Sequence, residues 1–469
     1  MKKTKLLAGA LSACFLFAAT GCNLKDVFGS LLPSGNDDGL SSVNVIMVND
    51  NHGVLNEETG SFDKIATGID SYESLGDTIK IANGDMFQGT YVSSSLKGLP
   101  MLDALNALGF DAFVIGNHEF DWGLDEMKKY KDGDPSNGEA EFPFLGANIY
   151  DKSTNAIVDW LEPYTVIQLD EVKIGIIGII GQVESSILSA NVEDYAFVEA
   201  GDIVKDLAAE LRREKDCDAV IVASHGVDND LNVAMATYEG SSKIDGIFTG
   251  HTHVPTEETI ERDDGSRVWV LQNGGYGESF ACMTLKFDAN GCLQKTEGKL
   301  NYTDKFQSKG ILSEVFAKYA EQLSIGDQVL LTIDEDISRY DTGSNVVYSM
   351  YATYDVDFAV INGGGVRTGI EAGDVTYADL FQVLPFENEV YIVTLSGRQL
   401  KSYVNAFSSG IYYYGLRLEF IEDDKDYQMA IVDFVYLGYT FDDYRNDSCI
   451  DTNDLIRDVF IDFVLSSVS

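Results

Sequence analysis

From residue 43 onward, short apolar runs alternate with polar clusters: VNVIMV precedes NDNHG, IKIA precedes NGD, and AFVI precedes GNHEFD. The pattern returns in VKIGIIGII before GQ, AVIVAS before HG, and IDGIFT before GHTH. Runs of this length, separated by helical stretches such as Pro100 to Leu108 and Asp202 to Glu214, predict the buried strands of an α/β sheet domain. In open α/β sheets ligands bind beyond the carboxyl ends of the strands, where each polar cluster falls. A hairpin-like end follows in YGESFACMTLKFDANGCLQ, with Asn290-Gly291 as its turn. The pattern then predicts a linker helix over 307–328 and a second region over 329–469, which contains DFAVINGGGVR and DLFQVLPFENEVYIVTLSGRQL and ends in the helix-like LIRDVFIDFVL.

Length and composition agree with two folded domains, since 469 residues with 45% hydrophobic content exceed one ordinary core. A formal net charge of −43 excludes binding to polymeric nucleic acid or an anionic membrane through a basic surface. An anionic substrate must therefore meet strong local positive charge.

The start, MKKTKLLAGALSACFLFAATGC, combines Lys2, Lys3 and Lys5 with an apolar stretch from Leu6 to Ala19 and small residues before Cys22. It reads as an export signal over 1–21, shorter than the ~20 apolar residues of a spanning helix. Ala19-Thr20-Gly21-Cys22 resembles a bacterial lipobox, which makes Cys22 a lipidated, membrane-anchored N-terminus at the cell surface or in the periplasm; simple secretion is the alternative. Residues 22–42 read as a tether rich in Ser, Gly and Asp. Cys217, Cys282, Cys292 and Cys449 lack metal-knuckle spacing, and an exported chain leaves a disulfide of unassigned pairing open.

All five histidines, His52, His118, His225, His251 and His253, fall at the ends of expected strands. Asp50 and His52, two apart on a segment read as extended, would point to one side and reach one cation; His251 and His253 repeat the spacing. Asp85 follows its strand in NGD, where Gly84 permits close backbone approach. Asn117 offers an amide oxygen and His225 a ring nitrogen, and this mixed N and O set suits Zn, Mn, Fe or Co.

These residues resemble the calcineurin-like metallophosphoesterase pattern DxH, GD, GNHE, H and GHxH in order, and GNHEFD with the C-terminal half resembles the 5′-nucleotidase family. The resemblance implies a two-sheet sandwich with helices on the outer faces plus a smaller α/β C-terminal substrate-binding domain, the two brought together by domain closure or rotation. It implies two divalent metal ions, one held by Asp50, His52, Asp85 and His253, the other by Asp85, Asn117, His225 and His251. Such ions answer the charge problem, being the largest local charges in the site. In two-metal sites about 3.5–4 Å apart they activate a water and clamp an in-line displacement at phosphorus.

His118 remains outside the ligand set, and Asp121 lies beside it if the chain turns helically there, holding the ring's tautomer and favouring imidazolium. The resemblance implies that His118 stabilises the transferring phosphoryl group or protonates the leaving alkoxide while Asp121 orients it. Read alone, Asp121 could instead cap the following WGLDEMKKY.

NGGGVR supplies flexible glycines, an amide and a guanidinium, and Arg suits phosphate or carboxylate. By resemblance Asn362 contacts the base or ribose and Arg367 the substrate's phosphate or carboxylate-like groups, with Arg339 a further candidate. The family stacks a nucleobase between two aromatic rings. Tyr436, Asp442 and Tyr444 keep the spacing of the second ring's pattern without its glycines, and Tyr412 in IYYYG stands for the first. The implied function is hydrolysis of nucleoside 5′-monophosphates to nucleoside and phosphate. The alternatives are a 2′,3′-cyclic-nucleotide phosphodiesterase, a UDP-sugar hydrolase, or a non-catalytic surface binding lipoprotein.

Overall fold

The computed structural model describes residues 40–55 and 61–468. The export segment, Cys22 and most of the tether lie outside the described residues. Each of the six apolar runs is a strand: Ser41–Val48, Thr78–Asn83, Ala112–Val114, Lys173–Ile180, Ala219–His225 and Gly246–Phe248.

They divide between two six-stranded sheets. The first runs, in spatial order, Leu293–Tyr302, Ser279–Phe287, Ser41–Val48, Thr78–Asn83, Ala112–Val114, Phe144–Leu145. Its last four strands are parallel. The second runs Thr256–Glu261, Arg267–Gln272, Gly246–Phe248, Ala219–His225, Lys173–Ile180, Tyr164–Gln168, parallel inside and antiparallel at both edges.

The sheets pack face to face because strand side chains alternate. Ala219, Ile221 and Ala223 share one buried cluster with Val45, Met47, Ile81 and Val114 of the other sheet. Val220 and Val222 turn the opposite way, onto Val204, Ala208 and Leu211 of helix Ala200–Glu214. Burial on both faces is why these strands are continuous apolar runs, each fully buried Val or Ile contributing about 1.5–3 kcal/mol relative to exposure. The fold is thus the expected two-sheet sandwich.

The C-terminal part has its own five-stranded sheet, ordered Ile411–Gly415, Phe358–Asn362, Asp426–Val432, Glu389–Ser396, Ile450–Leu455. Helices Arg339–Tyr354, Gly397–Phe407 and Ile456–Val468 bury Val346, Leu400 and Phe460 in its core. The expected single linker helix is instead two short ones, Ser313–Lys318 and Ala320–Gly326, interrupted at Tyr319, whose φ of −108° and ψ of 19° leave the helical well. The hairpin turn forms as expected, with Gly291 at φ 76°.

Candidate active site

The carboxyl ends of the parallel strands from both sheets converge. Asn83 Nδ2 donates to Ser224 O at 2.9 Å, and His225 Nδ1 lies 3.0 Å from Asn83 O. Gly84 makes this approach possible, since a Cβ there would sit 2.4 Å from His225 Nδ1.

The expected metal ligands assemble at this edge, by a backbone route other than the one read from spacing. Asp50, His52, Asp85, His251 and His253 all have positive φ, from 51° to 83°, and make up five of the eleven such non-glycine residues described. Asp50 with His52, and His251 with His253, therefore converge through left-handed turns and not through strand alternation. Conformations of this kind cost energy and persist where the surroundings impose them, commonly at functional sites. The surroundings are visible: Asp50 N donates to Gly84 O and His52 N to Asp85 O, each at 3.0 Å, locking the first two strand-end loops together. His251 N donates to Asp50 Oδ2 at 2.9 Å, bringing in the GHTH loop.

Among the described residues three groups have all their ligand atoms within 4.8 Å of one another: Asp50, His52 and His253; Asp85, His225 and His251; and, overlapping both, His52, Asp85 and His118. Asn117 Oδ1 lies 2.8 Å from His251 Nδ1 and 3.2 Å from His225 Nε2, beside the second cluster. Asp85 Oδ2 sits 3.1 Å from His225 Nε2, and Asp85 also groups with His52 and His118, so it stands between the first two clusters.

The donor chemistry fits divalent cations. His52 Nδ1 faces Gln88 O at 3.0 Å and His225 Nδ1 faces Asn83 O, so carbonyls take the Nδ1–H protons and both Nε2 atoms face inward, where a cation would take the place of a proton. Burial, reinforced by Arg367, holds His52 well below the usual histidine value. His225 goes the other way: burial lowers it, but the Asp85 carboxylate outweighs burial and pushes it up to about 10. The second cluster thus stabilises a positive charge among its ligands. Asn117 Nδ2 is buried with no hydrogen-bond partner among the described residues, as suits an amide whose oxygen is the working atom.

GNHEFD forms a 3₁₀ turn over His118–Phe120, so Asp121 comes back beside His118. His118 Nδ1 lies 2.8 Å from Asp121 Oδ2, and its other nitrogen is 4.0 Å from Asp85 Oδ2. Burial opposes protonation of His118, but Asp121 and Asp85 together raise its pKa above the usual value. Asp121 does not cap the following helix, Leu124–Lys128, whose N-cap is Gly123.

One motif residue went unassigned in the sequence reading. Glu119 is fully buried; its Oε2 accepts from Asp85 N and Gly116 N, both at 2.9 Å, and its Oε1 from Met86 N at 3.0 Å. It fixes the NGD loop against the GNHE turn. Its place inside GNHE was the available signal.

A cavity of about 520 Å³ opens on the cluster. Asp85, Asn117, His118, Asp121, His251 and His253 line one side, and Arg339, Asn362, Arg367, Phe386, Asn388 and Phe434 the other. Arg339 holds the glycine turn through Val366 O at 2.7 Å and Gly363 O at 2.9 Å. The buried Asn362 Oδ1 has no partner among the described residues.

Three expected pocket residues are not brought there. Tyr412 packs on Gly343 and lies 6.0 Å from the Tyr340 ring, because its strand position faces helix Arg339–Tyr354. Tyr436 packs against Tyr391 and Phe441 and donates to Asn446 O. Asp442 pairs with Arg445 at 2.8 Å. Helix Asp433–Leu437 accounts for Tyr436: residues two apart on a helix face about 200° apart, and Phe434 takes the cavity side. Phe386 supplies the other cavity ring, stacked 5.5 Å from His118. Its position in the mixed LPFENEV segment gave no sign that it lines the cavity.

Comparison with known proteins agrees with this geometry. Residues 43–255 match the calcineurin-like phosphoesterase family, which defines the class of the catalytic part. Residues 333–425 match the 5′-nucleotidase C-terminal domain. A 5′-nucleotidase of Vibrio parahaemolyticus is 28% identical, aligned over 91% of this chain and 85% of its own. The solved structure of a 5′-nucleotidase precursor from Thermus thermophilus superposes with a TM-score of 0.78 at 20% identity, covering 91% of this chain and 97% of the other. A sulfate thiohydrolase, SoxB, from the same species shares the fold at a TM-score of 0.72 and 15% identity, covering 93% and 95%. The two matches and the 5′-nucleotidase relatives support the 5′-nucleotidase family of calcineurin-like metallophosphoesterases, and the chain is a metal-dependent phosphoester hydrolase.

Proposed function

We propose that the protein is an exported phosphatase that uses two divalent ions, Zn, Mn or similar, to hydrolyse nucleoside 5′-monophosphates to nucleoside and phosphate. The observation that carries this reading is the shared cavity, which faces Phe386, Asn362 and Arg367 across to the His/Asp cluster. Its volume suits a small molecule.

Divalent ions held by Asp50, His52, Asp85, Asn117, His225, His251 and His253 would polarise phosphoryl oxygens and lower the pKa of water. The protein's own groups do the rest. His118, whose protonated form Asp121 and Asp85 favour, places an N–H where negative charge gathers on the phosphoryl group or leaving oxygen. Asp121 fixes the tautomer that points Nε2 into the site. Arg367 supplies a planar set of donors to the phosphate. Phe386 and Phe434 offer apolar faces to a base, with Asn362 on the same wall of the cavity.

The test is phosphate release from AMP, cyclic AMP and UDP-glucose by protein supplied with Mn or Zn. Release from AMP supports the reading. Turnover of cyclic AMP or UDP-glucose without AMP would reassign the substrate, and silence toward all three would contradict a nucleotide-directed enzyme. Export and anchoring rest on residues 1–21 and Cys22. Labelled fatty acid on the wild type and none on Cys22→Ser would support a lipid anchor at Cys22; label on both or neither would contradict it.

A further inference from the structure

Tyr276 connects the metal-ligand loops to the substrate side of the cavity. Its main-chain N–H donates to Asp50 O at 2.8 Å. Its ring stacks on His52, with centroids 5.0 Å apart and planes 28° apart, and meets His253 edge-on at 5.2 Å. Its hydroxyl accepts a hydrogen bond from Arg367 Nη2 at 3.1 Å. Like five of the ligands it is left-handed, with φ 55°, a conformation a bulky side chain takes only under constraint.

The contact belongs to a closed circuit. Arg367 lies over the Phe386 ring at 5.8 Å, Phe386 stacks on His118, and His118 meets His52 with centroids 5.1 Å apart. Tyr276 and Arg367 line the 520 Å³ cavity and also a smaller one of about 170 Å³, whose walls include His52, Gln88, Thr90 and Thr368.

We propose that Tyr276 is a positioning residue for Arg367 and that the pair, with Gln88 and Pro385, forms the partition between the two cavities. A guanidinium has five N–H donors in one rigid plane, so anchoring one of them orients the others. The Tyr276 hydroxyl takes one donor, and the remaining ones meet the phosphoryl group already aligned. Ordering Arg367 before substrate arrives lowers the cost of binding. The phosphate-binding role of Arg367 rests on the function proposed above; the Tyr276 contact does not.

Tyr276→Phe tests this, because it removes the hydroxyl and keeps the ring on His52. The measurements, on metal-loaded protein, are KM and kcat for AMP and for p-nitrophenyl phosphate, the dissociation constant of inorganic phosphate by calorimetry, and metal content. KM and the phosphate dissociation constant should rise about three- to tenfold, kcat should change less, and metal content should hold. Arg367→Ala should cost less in the Tyr276→Phe background than in the wild type. Unchanged phosphate affinity and KM, or strictly additive effects of the two substitutions, would overturn the inference. An inactive protein toward AMP that still shows the Tyr276→Phe effect on p-nitrophenyl phosphate would defeat the nucleotide reading and support the Tyr276 role.

Discussion

Nε2 of His52 and Nε2 of His253 lie 3.1 Å apart, although they come from loops 201 residues apart in the chain. With the His52 proton on Nδ1 facing Gln88 O, its inward lone pair lies beside the other ring's nitrogen, close enough for both to reach one cation. Stripping the protein with a chelator should abolish phosphate release, and Mn or Zn should restore it. The same treatment should lower the unfolding temperature, since an ion at one hundred times its dissociation constant adds about 2.7 kcal/mol to the folded state. Thermal unfolding with and without chelator checks this, and full activity after complete metal removal would contradict it.

The cavity rings give a second prediction. Phe386→Ala should raise KM for a nucleotide about tenfold or more, because base–aromatic stacking contributes about 1–3 kcal/mol. Tyr412→Leu, which removes a ring that packs on Gly343 outside the cavity, should leave KM within twofold. Steady-state kinetics on both variants separates the observed cavity wall from the one expected from spacing.

These pairs show where the sequence was legible. The strands and the clustering of the candidate ligands could be read because each depends on local pattern: apolar runs buried on both faces, and rare residue types at the runs' ends. The left-handed turns at Asp50, His52, His251 and His253 could not, because a two-residue spacing fits an extended segment equally well. The pocket was least legible. Whether Phe434 or Tyr436 faces the ligand depends on the rotation of a five-residue helix, which tertiary packing sets. Tyr276 carries no motif at all, and its role exists only through Arg367, 91 residues away.

Asp63 predicts a pH dependence of stability. Its carboxylate accepts from Ser308 Oγ, from Gly310 N at 2.7 Å and from Leu312 N at 2.8 Å, tying helix Phe62–Glu73 to the segment leading out of the sandwich. Burial raises its pKa, but these hydrogen bonds outweigh burial and leave it below the usual carboxylate value. A pKa lowered by folding stabilises the protein above the unfolded value, and that stabilisation is lost as pH falls through the folded value. Asp63→Ala should therefore cost about 2–3 kcal/mol at pH 7 and progressively less below about pH 4. Urea unfolding of both proteins at the two pH values checks the sign; a cost that grows on acidification would contradict it.

The central claim is that the His/Asp cluster binds the metal and His118, held by Asp121, works on the phosphoryl group. The most direct test is phosphate release from AMP by wild type and by His118→Asn at matched, measured metal content. The account predicts equal metal in both proteins and a kcat lower by about 10²–10⁴ in the variant. Equal turnover by the two proteins, or loss of metal on replacing His118, would contradict it.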